Sequence, residues 1–113
     1  MPGDFPCRGD IYHVKFESLV GPHYAVIVTA DGINKSDEAV LMVVITSKRV
    51  DQIYPNEFKV PDKLLPKPSK VRCHRLVIVG KDELTSDNYV NTISKRDMEG
   101  LDIALMMALD LWY

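Results

Sequence analysis

Residues 70–80, Lys70-Val71-Arg72-Cys73-His74-Arg75-Leu76-Val77-Ile78-Val79-Gly80, read as one β-strand with a basic first half and an apolar second half. Strand side chains alternate between two faces, so Lys70, Arg72 and His74 share one face and Val71 and Cys73 the other. Same-face neighbours sit roughly 6.5–7 Å apart, about the span of a phosphodiester and its attacking hydroxyl. Arginine offers a fixed fork of donors for phosphate oxygens, and histidine can move a proton near neutral pH. That combination suits RNA cleavage without a metal. It equally describes a solvent-facing basic strand with no chemistry, and the remainder of the chain has to separate the two readings. The apolar half, Leu76 to Val79, is expected in a core, and Gly80 ends it.

Working outward, Ala39 to Thr46 (AVLMVVIT) is almost continuously apolar and β-branched, as in a central buried strand. Ile11 to Phe16 alternates, with Tyr12, Val14 and Phe16 on one face and Ile11, His13 and Lys15 on the other. Tyr24 to Thr29 forms a further strand after the Gly21-Pro22 turn, and Glu57 to Val60 a short one between Pro55 and Pro61. Asp31 to Asp37 reads as a polar loop, and residues 1–7 as a loose tail. The period changes at the C-terminus. Ser94 is a natural N-cap with Asp97 three residues on, and Met98, Leu101, Ala104, Leu105, Ala108, Leu109 and Trp112 recur at helical spacing. Ile103, Met106, Met107 and Leu111 widen that face beyond what one sheet needs, which leaves either a dimer or partner contact or simple core burial. Five or six short strands followed by one helix give a mainly β fold, a small SH3-like barrel or strongly bent antiparallel sheet capped by the helix.

The chain's 113 residues fit a single domain, residues 1–113. A net charge of −2 supplies no global field for nucleic acid, so binding of that kind must rest on a local basic patch. No apolar run approaches the roughly 18 residues that span a bilayer, and the N-terminus lacks a signal-peptide pattern. Cys7 and Cys73 form neither a CxxC pair nor a disulfide framework, and three scattered histidines give no zinc cluster. A reduced cytoplasmic protein without metal or cofactor is expected.

Five segments in register resemble the MazF/PemK family of toxin endoribonucleases. These are RGDIYHVKF at 8–16, YAVIVT at 24–29, VVITSK at 43–48, KVRCHRL at 70–76 and NTISKRDMEGLDIALMMALDL at 91–111. The Arg-Cys pair of the fourth is most similar to the PemK branch. The resemblance implies an SH3-like barrel and a homodimer. It also implies metal-independent cleavage of single-stranded RNA at a short sequence, leaving a 2′,3′-cyclic phosphate and a 5′-hydroxyl, and a cognate antitoxin whose flexible tail lies across the RNA groove. It puts Arg72 in the place of the catalytic arginine and Thr46 and Ser47 in the place of a hydroxyl pair at the scissile region. The chain departs from the pattern at His23-Tyr24, where the family has Arg-Pro, and at His74, where the PemK branch has aspartate. The loop from Glu17 to Pro22 is also shorter than usual.

Cleavage by a 2′-hydroxyl needs a base, donors for the phosphoryl oxygens and an acid for the leaving 5′-oxygen. Arg72 suits the second service, and its high pKa makes it a poor proton donor. Both departures place a histidine near the site, so His23 and His74 are expected to act as a base–acid pair around an Arg72 clamp. Lys48, Arg49, Lys70 and Arg75 are candidates for the phosphate patch. Thr46 and Ser47 either contact substrate or satisfy backbone groups at a strand end. His13 has no catalytic part, and Cys73 is expected in the core. Two other readings stay open. One is a gyrase poison of the CcdB branch, favoured slightly by the C-terminal Leu111-Trp112-Tyr113. The other is a degenerate member that retains antitoxin binding without catalysis.

Overall fold

The computed structural model describes residues 4–17 and 19–111, so Trp112, Tyr113 and the first three residues of the expected tail lie outside the described residues. The elements run β1 (Asp10–Lys15), β2 (Pro22–Ile27), α1 (Asp31–Ser36), β3 (Ala39–Thr46), β4 (Glu57–Lys59), β5 (Lys70–Gly80), β6 (Tyr89–Thr92) and α2 (Lys95–Leu109). All six strands form one sheet in the order β4-β5-β3-β2-β1-β6, antiparallel at each pairing. The strongly bent antiparallel sheet with a C-terminal helix is thus the observed architecture.

Both faces of the sheet are apolar because the inner strands are. Ile11, Val26, Val43, Ile45, Val71 and Cys73 form one core with Met98, Leu101 and Ala104 of α2. Tyr12, Val14, Phe16, Ala25, Ile27, Met42 and Val79 form a second core on the opposite face. The cap of α2 is the expected one, with the Asp97 amide donating to Ser94 Oγ at 3.1 Å. The helix lies so close to β4 that a Cβ on Gly100 would sit 2.8 Å from the Phe58 ring. Of the surplus, Ile103, Met107 and Leu111 are exposed and Met106 half-buried, and Leu109 of the stripe itself is exposed as well.

The decisive irregularity is in β5. Val43 pairs with Leu76 and Ile45 with Val71, so residues 72–75 bulge opposite the single residue Val44. The bulge resets the alternation. Val71 and Cys73 join the first core, whereas Val77 and Val79 pack into the second. His74 and Arg75 are both exposed, which a regular strand would not allow if either face were covered. Ile78 is consequently 79% exposed, not in the core as expected from the run Leu76 to Val79.

Two further expectations are corrected, and a sixth strand completes the sheet. Asp31 to Ser36 is a short helix, not a loop, because the buried Asn34 donates to the Thr29 carbonyl at 2.7 Å and the Lys81 ammonium to the Asn34 carbonyl at 2.6 Å. Pro6 and Cys7 are not loose: Pro6 is buried, and the Cys7 amide donates to Asp10 at 2.9 Å. β6 extends the sheet past β1, where Thr92 Oγ1 donates to the buried Asp10 carboxylate at 2.8 Å.

Candidate active site

The bend of β5 opens a groove of about 610 Å³ between the ends of β2, β3 and β5 and the segment before β4. His23, Thr46, Lys48, Arg49, Arg72, His74 and Arg75 all line it. The bulge explains why Arg75 joins Arg72 and His74 there. Ser47 lies just outside, on an adjoining cavity that shares His23, Thr46 and Lys48. Lys48 and Arg49 are exposed on the turn after β3, where Arg49 has a left-handed backbone (φ 53°).

Arg72 is half-exposed, with Nε 3.5 Å from Glu57 Oε2. That contact is an ion pair without a hydrogen bond, since Arg72 Nε has no hydrogen-bond partner among the described residues. Glu57 is Arg72's only ion-pair partner among the described residues. Lys70 is placed differently from expectation. Its side chain is 4% exposed, and its ammonium donates to Glu57 Oε1 at 2.8 Å and to the Gln52 carbonyl at 2.9 Å. Lys70 therefore reaches the groove as a buried support, and the exposed cations are Lys48, Arg49 and Arg75.

Glu57 and Asn56 were not legible as site residues. Glu57 also accepts from the Tyr54 amide at 3.1 Å. Burial alone would push its carboxyl up, but the Lys70 hydrogen bond, the Tyr54 amide and the charges of Lys70 and Arg72 hold it below the usual range. The one available signal was a lone carboxylate in a short strand able to pair with a Lys-x-Arg strand. The Asn56 side-chain amide lies 3.1 Å from His74 Nδ1.

His23 donates from Nε2 to the Val20 carbonyl at 3.2 Å, because a carbonyl can only accept. Its Nδ1 is thereby the nitrogen with a lone pair. Thr46 Oγ1 accepts from the Lys48 amide at 3.1 Å, so this hydroxyl serves the turn while lining the groove. Cys73 is fully buried on the far face, where burial first and the Glu57 and Asp102 charges next push its thiol up to about 12. It belongs to the core, as expected. Among the described residues no group of three His, Cys, Asp or Glu side chains could hold a metal ion.

Residues 7–109 match the family model described as PemK-like, MazF-like toxin of type II toxin-antitoxin system. Among solved structures, an endoribonuclease in complex with its cognate antitoxin from a mycobacterial species is 26% identical, with a TM-score of 0.82 over 96% of this chain and 98% of that one. The Mycobacterium tuberculosis toxin MazF-mt6 is 19% identical, with a TM-score of 0.76 over 92% and 99%. A MazE-MazF structure from Deinococcus radiodurans is 15% identical, with a TM-score of 0.72 over 95% and 97%; these last two likenesses speak for the fold. Among curated protein sequences none matches significantly. With its matched length, its bent six-stranded sheet and its capping helix, the chain belongs to the PemK-like, MazF-like toxins of type II toxin-antitoxin systems.

Proposed function

We propose that this toxin is a metal-independent endoribonuclease that cuts single-stranded RNA by attack of a 2′-hydroxyl on the adjacent phosphate. The observation that carries the reading is the convergence of Arg72, His74, His23 and Thr46 on one groove rimmed by Lys48, Arg49 and Arg75. Two histidines and an arginine supply the base, the acid and the charge stabilisation that the reaction needs.

In this reading His23 takes the 2′-hydroxyl proton at Nδ1, the nitrogen its Val20 bond leaves open. Arg72, aligned by Glu57, binds the phosphoryl oxygens through its terminal nitrogens. His74 in its charged form protonates the leaving 5′-oxygen from Nε2. Asn56 can present either its carbonyl oxygen or its NH2 to Nδ1, and the carbonyl is the partner that suits the imidazolium. Lys48, Arg49 and Arg75 hold flanking phosphates, with Thr46 and Ser47 near the scissile bond. The RNA groove is also the surface offered to a cognate antitoxin. The exposed Ile103, Leu109 and Leu111 support a homodimer contact.

The chemistry of the cut ends tests this mechanism. Products should carry 5′-hydroxyls that a polynucleotide kinase labels without prior phosphatase, and 3′ ends that acid opens from a cyclic phosphate. Products with 5′-phosphates would exclude 2′-hydroxyl attack.

A further inference from the structure

The adjoining cavity holds a feature that the mechanism leaves unused. His13 and Tyr24 are direct cross-strand partners between β1 and β2, and their rings stack with centroids 4.4 Å apart and planes 22° from parallel. Tyr24 is half-buried and packed against the α2-side core, which fixes its plane, whereas His13 above it is exposed. Both rings line a cavity of about 360 Å³, within the usual range for small-ligand sites. Pro22 and Pro66 add rigid apolar walls, and Lys48 and Lys67 are exposed ammonium groups at its lining. This cavity shares His23 and Thr46 with the groove of Arg72.

We propose that this cavity is a nucleobase site, in which the base of the nucleotide next to the scissile phosphate stacks on the His13–Tyr24 pair. The inference rests on the ribonuclease reading and adds a specificity-determining subsite to it. A single strand bound through phosphates alone would slide. A flat, pre-aligned ring pair one residue from His23 gives it a fixed register. Every base offers a π-face, and stacking on an aromatic side chain is a strong, hydrogen-bond-independent contact. The lysines meet the phosphates on either side of the stacked base. His13 is thus a binding residue and takes no proton in the cleavage.

Equilibrium binding of five-nucleotide 2′-deoxyoligonucleotides, random except for a central 2-aminopurine or pyrrolocytosine, tests the site. These probes lack the 2′-hydroxyl and cannot be cut by the proposed route. Stacking quenches their fluorescence. The native protein should quench at least one of them. His13→Ala should weaken binding about tenfold and lose most of the quenching, and His13→Phe should restore both. Because His13 is exposed, these variants should melt with the native protein, and a thermal scan checks it. Absence of quenching by the native protein, or equal quenching by His13→Ala, overturns the inference. Failure of the ribonuclease reading registers separately, as intact ribo-oligonucleotides in a mixture where the deoxy probes are still quenched.

Discussion

Glu57 and Lys70 form a buried ion pair at 2.8 Å, each side chain 4% exposed, directly behind the groove. Glu57 lies opposite Arg72 in the β4–β5 ladder and Lys70 opposite Lys59, so the pair is diagonal across the two strands. One carboxylate therefore holds Lys70 with Oε1 and faces Arg72 with Oε2. Arg72 is thus contacted at Nε from the Glu57 side while it lines the groove. Glu57 is a positioning residue for that guanidinium.

Breaking this pair from one side should be severe. Glu57→Ala leaves a buried ammonium without its counter-charge, a change that costs about 3–5 kcal/mol. Replacing both partners, as Glu57→Leu with Lys70→Met, should come within about 1–2 kcal/mol of the native protein. The double variant should nevertheless cleave RNA poorly, because Arg72 has lost its alignment. Urea denaturation and cleavage rates on the two variants give the comparison. An active double variant would leave Glu57 with a purely structural part.

The same carboxylate gives acid sensitivity. Its folded pKa is below the unfolded value of about 4.3, so its stabilisation is present above that pH and is lost as pH falls through the folded value. Asp10 acts oppositely: burial raises it, outweighing the hydrogen bonds from Cys7 and Thr92. Its contribution is full below about pH 3.9 and is lost as pH rises through the raised value. Relative to the native protein, Glu57→Gln should lose less stability on going from pH 5 to pH 3. Parallel urea midpoints for the two proteins across that range would contradict the assignment.

If His23 and His74 are base and acid, cleavage should follow a bell-shaped pH profile, and each alanine variant should lose about 10²–10⁴ in rate and one limb of the bell. Asn56→Ala should slow cleavage less and should act on the His74 limb alone. A flat profile between about pH 5 and 8 in the native protein would remove both histidines from proton transfer.

Gly100→Ala should destabilise the protein even though alanine is the better helix former by about 1 kcal/mol. The added Cβ meets the Phe58 ring at 2.8 Å, and overpacking of that kind costs about 1–3 kcal/mol. Phe58 neighbours Glu57 in β4, so the displaced ring should also reduce cleavage. A higher melting temperature for Gly100→Ala would show that helix and strand separate easily.

Much of this architecture was legible where local pattern and tertiary environment agree. The β-branched run Ala39 to Thr46 and the capped helix after Ser94 both formed as read. Reading failed where long-range contacts decided. The polar sequence of α1 carries no helical periodicity and depends on Asn34 and Lys81. The four residues of β6 are a strand because β1 offers an edge. Ile78 is exposed because a bulge in β5 shifts the phase, and period-2 reasoning has no sign of that. At the site, the residue types on β5 were visible in the sequence. The burial of Lys70 was not, since it depends on Glu57 arriving from another strand.

The most direct measurement is the cleavage of a long single-stranded RNA by the purified protein in EDTA, beside Arg72→Ala, with the ends mapped. The native protein should cut at a recurring short sequence, and the variant should be slower by about 10²–10³ at the same sites. Intact RNA with the native protein, or equal cutting by both proteins, would contradict a ribonuclease centred on Arg72.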